Sequence, residues 1–217
     1  MTSSDTTLLP APPTTRFWDR IADRYAKKPI ADEAAYQIKL ETTRAYLRPD
    51  MDVLEFGCGT GSTALLHAPF VKHLVATDLS PRMIDIARDK AAAADVANVS
   101  FVCTAIERFD APHESFDAVL GLSILHLLED PEAVVGKVHR LLKPGGVFVS
   151  STVCLADGMA WFKPILFVGR RLGLLPLVRF FGADHLAEML VAQGFTIEHR
   201  WSPPAGKGVF IVARKTP

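Results

Sequence analysis

Residues Val53–Ser62 read VLEFGCGTGS, a short apolar run that breaks into a loop with glycine at every second position. The run predicts a buried strand, and Gly57, Gly59 and Gly61 let the loop turn sharply and bring its backbone against a ligand. The helix expected after the loop presents unpaired N–H groups to the same place. Asp78 ends the next predicted strand, where an acidic side chain hydrogen-bonds the hydroxyls of a ribose. Together these features predict a binding site for a nucleoside cofactor.

The glycine spacing narrows the kind of cofactor. The dinucleotide fingerprint G-x-G-x-x-G needs a third glycine at position 62, where this chain has Ser62. A pyrophosphate is therefore less favoured than a cofactor with one ribose and no phosphate. The same residue disfavours a nicotinamide-dependent dehydrogenase.

Four motifs follow one another along the chain. They are Glu55-x-Gly57-x-Gly59-x-Gly61, ATDLSPRM at 76–83, SFDAV at 115–119 and LLKPGG at 141–146. In this order they resemble the class I S-adenosylmethionine (SAM)-dependent methyltransferases of the small-molecule type, over about residues 50–154. The resemblance implies SAM as the cofactor, S-adenosylhomocysteine (SAH) as the product, and a Rossmann-like fold.

Hydrophobic periodicity also predicts an α/β fold. Strands are expected at about 52–57, 73–78, 99–103, 116–121, 146–153, 195–201 and 208–214, with helices between the first five. This alternation implies a seven-stranded, mostly parallel sheet with helices on both faces. The link between the last two strands, residues 202–208, is too short for a crossover helix, so these strands should form an antiparallel hairpin. Ligands are expected at the carboxyl ends of the parallel strands.

One domain is expected after a short tail. Residues 1–15 (MTSSDTTLLPAPPTT) are polar and rich in proline, which predicts disorder. Residues 16–47 carry apolar side chains at helical spacing on both sides of Pro29, so they predict a cap of two helices. The predicted parts of the methyltransferase domain, 16–217, are this cap, a SAM-binding core at 50–154, an apolar and basic substrate-side insertion at 155–183, and a C-terminal helix and hairpin at 184–217.

The composition limits the class of protein. The 217 residues include 24 basic and 24 acidic side chains, and the formal net charge is zero. The chain therefore has no electrostatic footprint for nucleic acid, and no apolar run reaches the length that spans a bilayer. Three cysteines at wide spacing do not predict a disulfide framework. These features favour a cytoplasmic enzyme that acts on a small molecule.

The resemblance assigns roles in cofactor binding. It places the loop glycines against the methionine part of SAM, Glu55 near its amino group, and Asp78 on the ribose hydroxyls. Leu79 and Met83 would pack on the adenine. Thr104 stands where family members often carry an aspartate, so the adenine amino group must bind its hydroxyl, a backbone carbonyl or water. The predicted cofactor shell is Tyr25, Glu55, Gly57, Cys58, Gly59, Gly61, Asp78, Leu79, Met83, Thr104, Ala105, Ile106, Leu122 and Ser123.

His126 is the candidate catalytic residue. Methyl transfer from a sulfonium is an in-line displacement, which mainly requires that the nucleophile be held close and that water be excluded. In similar enzymes the run Leu122–Leu127 lies beside the sulfonium, and the pKa of a histidine there can lie near neutral pH. A base is optional in this chemistry, so the alternative that His126 only supports the cofactor pocket stays open.

Three cysteines raise the question of a metal. Cys58, Cys103 and Cys154 fall at or just past predicted strand ends on one edge of the sheet. A thiophilic ligand such as zinc or a trivalent metalloid would fit such an edge. No C-x-x-C pair supplies a chelating geometry, so no metal site is predicted.

Residues 158–183 (GMAWFKPILFVGRRLGLLPLVRFFGA) hold five aromatic residues and four basic ones, but no acidic residue. This composition is consistent with a lid that encloses a lipophilic acceptor or with an interfacial contact with anionic lipid. It is equally consistent with a surface that packs on the sheet or on a second copy. A lipid contact would make the protein peripheral to the membrane and its substrate a lipid or a quinone precursor.

Besides the dehydrogenase, two other functions compete with a small-molecule methyltransferase. Amino-methylating nucleic-acid enzymes carry an Asn/Asp-Pro-Pro-aromatic run after the fourth strand, where this chain has Gly121–Ile124 (GLSI). Cytosine-C5 enzymes use a Pro-Cys nucleophile, and that pair does not occur in the chain. A nucleic-acid methyltransferase is therefore disfavoured. The other rival, a non-catalytic SAM-binding module, stays open.

Overall fold

The chain forms a seven-stranded sheet in a computed structural model that describes residues 13–154, 175–180, 182–203 and 208–216. The sheet order is β3-β2-β1-β4-β5-β7-β6. Strands β1 to β5 run parallel, whereas β7 pairs antiparallel with both β5 and β6. This confirms the predicted fold with its C-terminal hairpin. The strands are β1 Asp52–Phe56, β2 His73–Asp78, β3 Val99–Cys103, β4 Phe116–Leu122, β5 Leu142–Val153, β6 Phe195–Trp201 and β7 Gly208–Lys215.

The helices begin where local capping chemistry places them. Ser80 Oγ accepts a hydrogen bond from the backbone N–H of Met83 at 3.1 Å, and Asp130 Oδ1 accepts one from Ala133 at 2.9 Å. A proline follows each of these caps at the first helical position. The helices within the described ranges are α1 Pro13–Ala26, α2 Glu33–Arg44, α3 Ser62–His67, α4 Pro81–Ala93, α5 Pro131–Leu141 and α6 Ala183–Ala192, with 3-10 turns at Ala68–Phe70 and Leu125–Leu127.

The sheet has a hydrophobic core on each face. Successive residues of a strand point to opposite faces of the sheet. On the face covered by α5 and α6, Phe56 and Phe148 stack with their ring centroids 6.2 Å apart. Leu120 and Val149 face the other way, towards α3 and α4. The central strands β1 and β4 are thus covered on both faces. Their carboxyl ends, which emerge at one edge of this core, hold the site described below.

The start of the first helix differs from the boundary predicted from the sequence. Helix α1 begins at Pro13, inside the stretch 1–15 predicted to be a disordered tail; residues 1–12 of that stretch lie outside the described residues. The predicted break at Pro29 falls between α1 and α2, as expected. Of the predicted insertion at 155–183, only 175–180 and 182–183 are described. No helix in the described ranges is long and apolar enough to cross a membrane.

Candidate active site

A cavity of about 530 Å³ opens at the carboxyl edge of the sheet, beneath α1. Strands β1 and β4 are neighbours there although β2 and β3 separate them in the chain. Such a reversal of strand order leaves the crevice in which α/β proteins bind ligands. The cavity is lined by Thr14, Thr15, Trp18, Tyr25, Phe56, Gly57, Gly59, Asp78, Leu79, Met83, Thr104, Ala105, Ile106, Glu107, Arg108, Leu122, Ser123, Ile124, Leu127, Leu128, Glu129, Asp130 and Leu177.

The three loop glycines have different neighbours. Their φ angles are +66° at Gly57, +53° at Gly59 and +73° at Gly61, a region that L side chains rarely adopt. A Cβ on Gly57 would lie 2.6 Å from the side chain of Ile124, whereas a Cβ on Gly59 would meet nothing nearer than Tyr25 at 3.7 Å. Gly59 therefore presents open backbone to the cavity.

Gly61 lies elsewhere. A Cβ at this position would be 2.7 Å from Cβ of Ala87 on α4 and 2.9 Å from the ring of Phe101 on β3. Gly61 is not among the cavity residues, so its observed role is to let the loop pack closely against α4 and β3.

Asp78, at the end of β2, lines the cavity and is hydrogen-bonded to the loop that follows β1. Its Oδ2 accepts a hydrogen bond from the backbone N–H of Gly59 and its Oδ1 accepts one from Ser80, each at 2.9 Å. Burial raises the pKa of Asp78, and these backbone hydrogen bonds oppose that rise. Each carboxylate oxygen has a second lone pair, so Asp78 can hold the loop and still accept hydrogen bonds from a ligand's hydroxyl groups.

Glu55 is a buried acid directly behind the loop. Its side chain is 2% exposed, and its Oε2 has no hydrogen-bond partner among the described residues. Burial raises its pKa to about 8. Glu55 is not itself a cavity residue, but Phe56 and Gly57, which follow it, are. A buried carboxyl without a partner is costly, and a cation bound at the loop would lower that cost.

Helix α1 forms the roof of the cavity. Asp19 Oδ1 accepts hydrogen bonds from Ser80 Oγ at 2.5 Å and from the backbone N–H of Arg82 at 3.3 Å. Asp23 pairs with the Arg82 guanidinium at 2.6 Å. These acidic side chains meet the positive end of the α4 dipole and hold α1 across the site. The cavity residues that α1 supplies are Thr14, Thr15, Trp18 and Tyr25.

The far end of the cavity is mainly apolar. Met83 is 2% exposed and Ile106 is 3% exposed, and both lie in the cavity wall with Leu79. Thr104, which stands where the family often has an aspartate, donates its hydroxyl to the carbonyl of the next residue at 3.3 Å. This end could enclose a flat aromatic ring such as adenine.

His126 lies behind the wall. Its neighbours Ile124 and Leu127 line the cavity, but His126 does not. Burial lowers its pKa to about 4, and its Nδ1 is buried without a hydrogen-bond partner in the part of the chain that the structure describes. The imidazole is therefore neutral at pH 7, which differs from the expectation of a pKa near neutral pH. Its catalytic role stays a prediction, and its placement favours a supporting one.

The three cysteines considered as metal ligands do not form one cluster in the structure. Cys58 and Cys154 are buried and Cys103 is exposed. Across the described ranges, no group of three or more His, Cys, Asp or Glu side chains lies together as metal ligands would.

Most of the predicted cofactor shell converges on the cavity, and four predicted site residues do not line it. The predicted residues in its wall are Tyr25, Gly57, Gly59, Asp78, Leu79, Met83, Thr104, Ala105, Ile106, Leu122 and Ser123. Those that lie outside the wall are Glu55, Cys58, Gly61 and His126. The sequence did not predict the first turn of α1, Phe56, the rim at 107–108, the turn at 128–130 or Leu177. The one available signal was the spacing of Trp18 and Tyr25 on a single helix face.

Comparison with known proteins identifies the family of the domain that forms this cavity. Residues 53–146 match the methyltransferase domain family. This chain carries a class I SAM-dependent methyltransferase domain. The matched residues contain the glycine loop, Asp78 and β4, which together form the floor of the cavity.

Curated relatives of the methyltransferase domain include an uncharacterized methyltransferase, YcgJ, of Bacillus subtilis, 32% identical over 122 residues. They also include a ubiquinone biosynthesis O-methyltransferase of Xanthomonas axonopodis, 34% identical over 140 residues. The matches cover 56% and 64% of this chain. The chain spans about half the length of these relatives, 46% and 56%.

Solved structures share the fold of the methyltransferase domain. The YcgJ crystal structure superposes with a TM-score of 0.71 at 20% identity, over 83% of this chain and 99% of that one. The [4+2]-cyclase SpnF superposes with a TM-score of 0.76 at 18% identity, over 93% and 94% of the two chains. At this identity the likeness concerns the fold alone.

Proposed function

We propose that this protein transfers a methyl group from SAM to a small, lipophilic acceptor. The observation that carries the proposal is the placement of Asp78 and Gly59 together in the cavity wall, joined by a hydrogen bond of 2.9 Å. A ribose needs an acceptor for its hydroxyls, and the adjoining methionine part needs a backbone surface without side chains. The two residues supply these features side by side.

The remaining residues fit SAM at both of its ends. Leu79, Met83 and Ile106 would enclose the adenine, and the glycine loop would hold the methionine part. The carboxyl of Glu55, with its unpartnered Oε2, lies behind that loop, where it would attract the ammonium of the methionine part. When bound, SAM supplies an electrophilic methyl group on a sulfonium.

The protein's share of the reaction is to position the acceptor and exclude water. The wall on the β4 side is formed by Leu122, Ile124 and Leu127. Leu177 is 8% exposed and lines the same cavity. An apolar wall of this kind favours a lipophilic acceptor and keeps the transfer away from solvent. A neutral His126 behind this wall supports a mechanism in which alignment of the reactants does most of the work.

The described part of the segment 158–183 supports its interpretation as a lid. The backbone N–H of Arg179 donates to the carbonyl of His126 at 2.7 Å, and the Arg179 guanidinium donates to the carbonyl of Glu129. These contacts hold Leu177 against the cavity. Contact of this segment with a membrane stays an alternative, and most of the residues it invokes lie outside the described ranges.

The relatives' names do not select one acceptor. They include the ubiquinone biosynthesis O-methyltransferase of Xanthomonas axonopodis, a malonyl-[acyl-carrier protein] O-methyltransferase of Serratia marcescens and an arsenite methyltransferase of Halobacterium salinarum. Two of the three modify oxygen, so an oxygen acceptor is the first class to try.

Calorimetric titration with SAM, SAH and NAD tests the cofactor assignment. We expect SAM and SAH to bind at one site and NAD not to bind. A tight NAD complex, or no binding of SAM and SAH, would overturn the proposal. If SAM binds but the protein transfers no methyl group, the alternative of a non-catalytic SAM-binding module would be favoured.

A further inference from the structure

Lys39 on α2 carries a partly buried ammonium group without a counterion. Its Nζ donates a hydrogen bond to Ser151 Oγ at 2.9 Å. No carboxylate of the described residues lies within ion-pair distance of it, whereas the ammonium groups of Lys143 and Lys215 pair with Asp117 and Glu114. Burial lowers the pKa of Lys39, and the charge of Asp32 at the start of α2 opposes this shift in part. A partly desolvated cation whose direct contact is a neutral hydroxyl is costly unless a ligand supplies a negative charge beside it.

Ser151 adds a second donor. It is 5% exposed, and its oxygen already accepts the hydrogen bond from Lys39. No acceptor for its own O–H proton is found in the described ranges. Lys39 and Ser151 therefore present donor hydrogens from two side chains at one point, an arrangement that suits a carboxylate.

This pair of donors adjoins the wall on the acceptor side of the cavity, although neither Lys39 nor Ser151 is itself a lining residue. Ser151 on β5 is the direct neighbour of Leu122 on β4, and its carbonyl accepts the backbone N–H of Ser123 at 2.6 Å. Leu122 and Ser123 both line the cavity. The adenine end, at Leu79, is on the opposite side of β1.

The surroundings of the donors on that face of the sheet are apolar. Strand pairing continues from Ser151 to Phe210 on β7 and from Phe210 to Trp201 on β6. Phe210 is fully buried, and Trp201 packs against the same hydrophobic core as Leu122. A ligand held here would thus meet one cation, one hydroxyl and the partly buried side chain of Trp201, whereas Phe210 has no exposed surface.

We propose that Lys39 and Ser151 bind the carboxylate of an apolar, aromatic acid and so select the acceptor for methyl transfer. The inference rests on the proposed function, because it assigns a substrate class to the cavity whose wall at Leu122 and Ser123 adjoins this pair. Lys39 acts as a specificity residue. The transferred methyl does not touch it, and the acid is oriented by the two donors while its nucleophile faces β4.

Binding of matched acids and amides to the SAH-loaded full chain tests this inference. The probes are benzoate with benzamide and 2-naphthoate with 2-naphthamide, each titrated calorimetrically. A charge-assisted hydrogen bond predicts that the acid binds about tenfold more tightly than the amide. We expect Lys39→Met and Lys39→Gln to abolish this preference and Lys39→Arg to keep it. Lys72→Met is the matched control, because the Lys72 ammonium pairs with Asp52 at the amino end of β1. This variant should also keep the preference for the acid.

The outcomes separate the two proposals. Failure of the wild-type chain to bind SAH would contradict the proposed function itself. Normal SAH binding with no acid preference in any pair, including no binding of the acids at all, would overturn the Lys39 inference alone. A preference that survives in Lys39→Met and Lys39→Gln would also overturn it. Normal SAH affinity of each variant serves as the test that it is folded.

Discussion

The Oδ2 of Asp78 accepts a hydrogen bond from the backbone N–H of Gly59 at 2.9 Å, so one carboxylate both shapes the glycine loop and faces the cavity. The ends of β1 and β2 are thereby fixed relative to each other before a ligand arrives. The loop's left-handed backbone at Gly59 is held by the residue that the family places on the ribose.

Replacing Asp78 by alanine should weaken SAM binding about ten- to a hundredfold. The change removes charge-assisted hydrogen bonds, which contribute roughly 1.5–3 kcal/mol. Calorimetry with SAM measures the effect, and Asp50→Ala, which removes an exposed partner of Arg48, is the control. Unchanged affinity in Asp78→Ala would defeat the ribose assignment.

Replacing Gly57 by alanine should destabilise the fold more than the same change at Gly145. Both glycines have positive φ, +66° and +74°, so both variants carry backbone strain of about 1–2 kcal/mol. Only at Gly57 would the new Cβ also press on Ile124, at 2.6 Å; nothing lies within 4 Å of the position at Gly145. The free energy of unfolding in urea gives both values. Equal losses would show that Ile124 moves aside without cost.

The stability of the protein should depend on the charge of Glu55. The folded pKa of Glu55, about 8, lies above the ordinary glutamate value of 4.5, so the folded state keeps a proton that the unfolded state loses. The stabilisation from this group is complete below pH 4.5 and is lost as the pH rises towards 8, on the order of 5 kcal/mol in total. Glu55→Gln cannot ionise and so does not lose this contribution. Its free energy of unfolding should therefore rise relative to that of the wild type between pH 5 and pH 8. Parallel pH profiles for the two proteins would contradict the shifted pKa.

SAM binding should release a proton from Glu55. If the ammonium of the methionine part lies near this carboxyl, the ionised form is favoured and the pKa of Glu55 falls on binding. Below pH 8 the released proton appears in calorimetry as a dependence of the binding heat on the ionisation heat of the buffer. Glu55→Gln should remove that contribution, whereas a release of the same size in this variant would assign the proton to another group.

His126→Ala should leave the pH dependence of the rate between pH 6 and pH 8 unchanged. With a pKa of about 4 the imidazole is already neutral over this range, so it has no titration to lose. We expect kcat and SAM affinity to fall together, because the wall formed by Ile124 and Leu127 loses its support. A fall of about a hundredfold or more in kcat at unchanged SAM affinity, with loss of an ionisation, would instead identify a general base.

The sequence predicted the parts of the site that depend on local patterns. The glycine loop and Asp78 follow directly from strand ends and turn chemistry, and both lie in the cavity. The mostly parallel sheet and the antiparallel hairpin follow from the element pattern together with the family resemblance.

The parts that depend on tertiary packing could not be predicted in the same way. Thr14 enters the cavity only because Asp19 fixes α1 on the start of α4, a contact between segments that are far apart in the chain. Leu177 lies within the predicted insertion at 155–183, where no hydrophobic periodicity predicts the course of the chain. Gly61 has the spacing of a ligand-binding glycine, but α4 and β3 occupy the space beside it. The depth of His126, which sets its pKa, depends on the packing of the turn after β4.

The most direct test of methyl transfer is incubation of the purified protein with SAM labelled on its methyl group and a mixed metabolite extract, followed by mass spectrometry. We predict a labelled product that forms in equal amount with SAH and is strongly reduced with Asp78→Ala. Binding of SAM with no labelled product above the protein-free control, across extracts that contain aromatic acids, would contradict the proposed enzyme.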